Sequence, residues 1–254
     1  MITVKDIYDF LDKIAPFKSA MDFDNSGLLI GNYDLEVKKV LVCLDITNEV
    51  CDEANEIGAN LIISHHPIIF KPIKNIDFKG PIYKMMKYEI NAICAHTNLD
   101  VAEKGVNYHL AKSLELLDLS PLTYEKEYPL GFVGNLKNKM HINEFAAFVK
   151  EKLKCEGIRY TSNTDIISKV AVCSGTGGEF IEEAVNSGAE AFVTGEIKYS
   201  QILKANQLGL SIFDVGHFKS ENVVVKPLKI MLKSEFKNIE FYTSKVFTDK
   251  IKYL

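Results

Sequence analysis

Arginine is almost missing from this chain: among 30 basic residues, Arg159 alone is not lysine. The planar guanidinium fork that reads phosphates and guanine edges is therefore scarce, which argues against a dedicated nucleic-acid reader. The lysines are spread along the chain, and the formal net charge is only -4. No apolar run approaches the roughly 20 residues that a membrane span needs. The opening MITVKDIYDF also lacks the basic-then-apolar layout of a secretory signal, so the expected compartment is the cytoplasm. No C-x-x-C pair occurs among the five cysteines, Cys43, Cys51, Cys94, Cys155 and Cys173. An odd, scattered set is a poor disulfide framework, and reduced structural thiols are expected. No low-complexity linker interrupts the sequence.

What is present is a chain of 254 residues, 47% of them hydrophobic, enough for one large domain or two modest ones with a buried core. Short Val/Ile-rich runs alternate with helical stretches: KKVLVCLDI, ANLIISHH and INAICAHT, then SKVAVCSG, AEAFVTGE and LSIFDVGH. Buried strands separated by helices of about ten residues predict an α/β fold. The first such helix reads NEVCDEANEIG, with Asn48 as the expected N-cap and Gly58 as its terminator.

Residues 39–66 lie over residues 169–196 without a gap. Lys39, Val40, Val42, Cys43, Glu49, Glu53, Ala54, Gly58 and Ala59 match Lys169, Val170, Val172, Cys173, Glu179, Glu183, Ala184, Gly188 and Ala189. Both copies read strand, loop, helix, Gly-Ala, strand, and in each a third strand ends near a histidine, His96 or His217. This predicts two similar α/β/α halves. Between them, 125–167 suggests a strand at LGFVGNL and a helix at INEFAAFVKEKLK, with LTYEKEYPLG as the crossing. The expected domains are 1–125 with 216–254, and 126–215.

In open α/β sheets, ligands gather beyond the carboxyl ends of strands. There the sequence carries three polar groups. His65 and His66 end an apolar run and precede Pro67, which makes regular strand continuation unlikely. Neighbouring side chains within a strand point to opposite faces, but two imidazoles released at a strand end can each meet a different metal ion. AHTNLD, Ala95 to Asp100, ends another strand; a carboxylate with imidazoles suits zinc, iron, manganese, cobalt or nickel, although the same hexapeptide also reads as a turn with a helix cap. In GHFKSEN, His217 and Glu221 are four apart and share a face if a helical turn begins there. Three histidines, an aspartate and a glutamate suffice for a two-metal site with a bridging carboxylate, and hydrolysis is the natural reaction class.

These motifs are similar to those of the NIF3-like (DUF34) family: HHP at 65–67, AHTNLD at 95–100, SGTGG at 174–178, TGEIKY at 194–199 and GHFKSE at 216–221, with the opening DNSGLLIG at 24–31. The resemblance runs over essentially the whole chain. It implies two related α/β domains, a dinuclear metal site in the cleft between them and a ring-shaped homohexamer. Carried over by position, the ligands are His65, His66, Asp100, His217 and Glu221, with Glu221 as the bridge, and two divalent ions per subunit. Some members carry an extra domain inserted mid-chain, for which this chain is too short. Members are often labelled GTP cyclohydrolase 1 type 2 homologs, which implies a small-molecule substrate such as a nucleotide.

Other residues divide between functional and structural readings. His96 is a proton shuttle near the metals or a hydrogen-bonded structural histidine. SGTGG either offers backbone N–H groups to a phosphate or forms a tight turn. Glu196 and Lys198 fall where the repeat places His66 and Ile68. His109 and His141 are expected at the surface, and Asp24 and Asn25 in a turn. Two functions follow: a metal-dependent hydrolase with His96 and Glu221 as catalytic residues, or a non-enzymatic metal-binding or regulatory scaffold with protein partners.

Overall fold

The computed structural model describes residues 1–254. Eleven strands follow one another: β1 (Gly27–Ile30), β2 (Lys39–Cys43), β3 (Leu61–Ser64), β4 (Asn91–Cys94), β5 (Leu117–Glu125), β6 (Tyr128–His141), β7 (Arg159–Tyr160), β8 (Ile166–Cys173), β9 (Ala191–Thr194), β10 (Ser211–Asp214) and β11 (Glu240–Thr243). They form two sheets, each within its own compact unit. One unit comprises Met1–Ala102 with Val225–Thr248, the other Glu103–Val224 with Asp249–Leu254.

The first unit carries a sheet of order β1-β4-β3-β2-β11. Its other four strands run parallel, and β1 lies antiparallel at the edge. β3 and β4 are buried at every residue, as parallel strands covered on both faces must be. The helix Asn48–Ile57 joins β2 to β3 and packs Val50, Cys51 and Ala54 against Leu41 and Ile62. Thr47, not Asn48, caps it: its backbone is still extended, and its side-chain oxygen accepts from the Val50 N–H at 3.3 Å. Gly58, at φ +72°, closes the helix in the left-handed conformation that glycine adopts without a Cβ clash.

The second unit carries a sheet of order β5-β6-β8-β9-β10-β7. Its parallel centre repeats the first unit's. Val40 pairs with Leu61 and Val170 with Ala191; Leu61 pairs with Asn91 and Ala191 with Ser211. The gapless sequence match is thus a match of strand register. Phe145 and Phe213 meet edge to face at 4.8 Å in the core beneath the sheet. The helix Ile142–Lys152 is where the sequence predicts one, capped by the exposed His141.

LTYEKEYPLG is not a crossing between units. Glu125 pairs with Tyr128 and Thr123 with Leu130, so the segment is the tip of the β5–β6 hairpin, turning at Lys126 with φ 56°. The alternating Leu122, Tyr124 and Leu130 are strand positions, and hairpin pairing takes β5 into the second sheet. β5, β6 and the residues that follow β10 as far as Val224 fall within the compact unit Glu103–Val224 with Asp249–Leu254. His217 and Glu221 follow β10 and belong with its sheet. No helix is long and apolar enough to cross a membrane, and all five cysteines are buried thiols outside any disulfide.

Candidate metal centre

In the first unit, β3 ends at Ser64, and the next two residues leave the strand while keeping two of its hydrogen bonds. The N–H of His65 donates to Cys43 O at 3.3 Å and that of His66 to Leu44 O at 2.8 Å. The Ser64 hydroxyl donates to His66 O at 2.8 Å and fixes the bend. Because the chain has bent, the adjacent imidazoles no longer point to opposite faces: their centroids lie 5.0 Å apart. His96, after β4, stands 5.3 Å from His65 and 5.5 Å from His66. One ligand atom from each of the three comes within 4.8 Å of the others.

The partners of the Nδ1 atoms fix the tautomer of each ring. His65 Nδ1 lies 3.0 Å from Ala95 O, His66 Nδ1 2.9 Å from Asp45 Oδ1, and His96 Nδ1 2.7 Å from Asp24 Oδ1. A carbonyl and two carboxylates only accept, so each Nδ1 carries the hydrogen and each Nε2 presents its lone pair. Asp100, closing the short helix Thr97–Asp100, brings Oδ1 to 3.7 Å from His65 Nε2. Two donors each about 2.0–2.1 Å from a tetrahedral ion lie about 3.3 Å apart, so this separation suits co-ligands.

Asp24 is the residue that sequence reasoning understated. Its side chain is shut off from solvent. Besides His96 it accepts from Thr97 N at 3.1 Å, Thr97 Oγ1 at 2.6 Å and Ser26 Oγ at 2.8 Å. Burial opposes its ionisation, but hydrogen bonds from His96, Thr97 and Ser26 outweigh that and hold the carboxyl well below the usual range. The signal available in sequence was DNSG itself, an acid with a hydroxyl two residues on; its partner 72 positions later was not visible.

In the second unit, Gly216 at φ +83° turns the chain from β10 into the helix His217–Glu221. The four-residue spacing brings His217 Nε2 to 3.0 Å from Glu221 Oε2, as predicted for one helical face. Glu196 Oε2 lies 3.6 Å from His217 Nδ1. Glu221 is buried, and the glycines of SGTGG and TGE explain how. A Cβ on Gly175 would stand 2.5 Å from Glu221 Oε1; one on Gly195 would stand 2.4 Å from Ser220 Oγ. The Gly175 N–H donates to Ser220 Oγ and the Gly177 N–H to Thr194 Oγ1, both at 3.0 Å. Those donors are therefore engaged inside the turn rather than offered to a phosphate. Of the other histidines, His141 is the exposed helix cap. His109 is half-buried on the helix Val106–Ser113, against the surface position expected, and burial lowers its pKa.

Each unit thus gathers its share of the expected residues: His65, His66 and Asp100 with His96 in the first, His217 and Glu221 with Glu196 in the second. The donors are imidazole nitrogen and carboxylate oxygen, a set that fits borderline divalent ions.

The chain is similar over its whole length to several known proteins. A relative from Clostridium perfringens, named GTP cyclohydrolase 1 type 2 homolog, is 32% identical over 99% of both chains. One of the same name from Clostridium acetobutylicum is 35% identical over 90% of each. The crystal structure of a hypothetical protein from Staphylococcus aureus superposes with a TM-score of 0.94 at 33% identity, covering 99% of both chains. The family description Duf34/NIF3 (NGG1p interacting factor 3) matches residues 2–250, and the chain belongs to that family.

Proposed function

We propose that the protein is a metal-dependent hydrolase of a nucleotide or related small molecule, with two divalent ions held by His65, His66, Asp100, His217 and Glu221. The observation that carries this reading is the common orientation of the imidazoles: each of His65, His66 and His96 has Nδ1 held by an acceptor and Nε2 as the donor atom. Such fixing of the tautomer is what metal-binding histidines require. Bound there, divalent ions would supply a lowered pKa for coordinated water and polarisation of a substrate oxygen.

The chain's own residues do the rest. Asp45 and the Ala95 carbonyl hold the His66 and His65 rings in place. Glu221, buried and backed by Gly175, would hold metal together with His217. His96 keeps its Nδ1 hydrogen on Asp24, so a proton taken from water or returned to a leaving group moves at Nε2, as in other Asp-His pairs. The names of the clostridial relatives support a purine nucleotide as the first substrate to try. The reading places the protein in the cytoplasm as a homohexamer, which light scattering tests as six times the 28.6 kDa chain.

The experiment is metal analysis of untagged protein followed by a nucleotide and phosphoester panel, with His66→Ala and Glu221→Ala alongside. Metal-dependent turnover lost in both variants is expected. Turnover that survives both removes this mechanism; metal uptake without turnover on the whole panel, together with a reproducible protein partner, leaves the scaffold role instead.

A further inference from the structure

The chain's single arginine stands in a cavity. Within the second unit a cleft of about 470 Å³ opens beside His217, with Arg159, Lys198, Asp214 and Tyr253 in its walls. That volume lies within the range of sites for small molecules, about 300–1,000 Å³. Arg159 reaches it because β7 pairs antiparallel with β10, setting Arg159 opposite Asp214, three residues before His217. Asp214 is buried; it receives a hydrogen bond from Arg159 Nη2 and another from the Gly216 N–H at 3.1 Å.

The guanidinium has five N–H donors in a rigid plane, and Asp214 takes only one edge of it. The arginine side chain is still 69% exposed. A lysine could not make both contacts, since it lacks the fork that holds a carboxylate on one side and an oxyanion on the other. Lys198, exposed, adds a second positive charge to the lining. Glu196 also lines the cleft, close to His217, so an anion is favoured at the Arg159 and Lys198 end and disfavoured at the other. Ile197, Ile251 and the ring of Tyr253 supply the apolar part of the wall, and the Thr176 hydroxyl, which donates to Glu196 Oε2 at 3.2 Å, lies at the Glu196 end. Tyr253 rests on Gly157, where a Cβ would come within 2.5 Å of its Cδ1. Residue 157 thus has the one side chain that leaves room for that ring.

We propose that this cleft binds a small phosphorylated ring compound, its phosphate held by Arg159 and Lys198, its ring flanked by Tyr253 and Ile251, and its remaining edge turned to His217. The assignment rests on the hydrolase reading for its purpose, but the binding itself needs no metal. The sole arginine then recognises the charged part of the substrate.

The test is titration calorimetry on the full chain stripped of metal, with guanosine monophosphate as probe and guanosine and ribose 5-phosphate as controls. Saturable binding of the monophosphate is expected, with guanosine weaker by about tenfold or more because charge-assisted hydrogen bonds are lost. Arg159→Lys keeps a charge beside buried Asp214, so the fold survives, yet should weaken the monophosphate about tenfold. Lys198→Ala, at an exposed position, should weaken it about fivefold. Tyr253→Ala should weaken the monophosphate while leaving ribose 5-phosphate unchanged. Equal binding of guanosine and its monophosphate, no binding of either, or wild-type affinity in both charge variants overturns the proposal. Metal uptake measured on the same preparations separates the two readings. Normal uptake and turnover without phosphate discrimination spares the hydrolase and removes this cleft, whereas discrimination without any metal uptake does the reverse.

Discussion

His96 Nδ1 lies 2.7 Å from Asp24 Oδ1, so a histidine at the end of one strand is held by a carboxylate 72 positions earlier in the chain. The same carboxylate takes both the backbone and the hydroxyl of Thr97. One buried side chain therefore sets the ring angle of His96 and the start of the short helix that carries Asp100. Replacing it tests whether His96 acts through Nε2. Asp24→Asn keeps the shape but has one acceptor oxygen instead of two, and should cost about 1–3 kcal/mol of stability by chemical denaturation. Turnover, compared at equal metal occupancy, should fall with a shifted pH profile. An unchanged pH profile would deny His96 its proton-handling role.

Acid stability offers a second check. The Asp24 carboxyl is held below its ordinary value in the folded protein, so its contribution is fully present above the unfolded value and is lost as pH falls. The loss should begin below about pH 4, where an unfolded aspartate titrates. Thermal unfolding of the metal-free protein, followed downward in pH, should show a steeper acid decline in wild type than in Asp24→Asn. Parallel curves would mean that the buried carboxylate is not a source of acid sensitivity.

Gly175→Ala addresses the other unit. Its φ of +59° already disfavours a side chain, and the new Cβ would stand 2.5 Å from Glu221 Oε1. The expected result is a loss of about 1–3 kcal/mol and displacement of the Glu221 carboxylate. Metal content by elemental analysis should fall with it. Full metal occupancy in a folded Gly175→Ala protein would show that Glu221 does not need this turn.

The repeated Gly-Ala step makes a matched pair of tests. Gly58 and Gly188 end equivalent helices at φ +72° and +77°, and Gly58 has open space where a Cβ would go. Gly58→Ala should therefore cost only the backbone strain, about 1–2 kcal/mol. Gly188→Ala, with just the Lys169 Nζ at 3.8 Å, should cost a similar amount. A large disparity between the two would show that the two units do not use this step alike.

Thiol chemistry gives a test that needs no substrate. Burial pushes the Cys51 thiol up to about 12 and that of Cys155 up to about 11, so both remain protonated at neutral pH. Alkylation followed by mass spectrometry should label neither in the folded protein and both after denaturation. Rapid labelling of either under native conditions would mean that its packing opens readily.

Sequence alone determined the parts that depend on local order. Alternation of apolar runs and helical stretches yields the strands, because a buried strand needs a continuous hydrophobic segment. The match of 39–66 to 169–196 becomes equal strand register, since equal spacing along the chain gives equal pairing across it. His217 and Glu221 meet because four residues are about one helical turn. Tertiary structure decided what depends on distant partners. Asp24 reaches His96, Asp45 reaches His66, and Gly175 makes room for Glu221, all through contacts that no local spacing encodes. The β5–β6 hairpin was hidden for the same reason. A segment rich in charge reads as a connection until its pairing partner is known, and that pairing is what carried it into the second sheet.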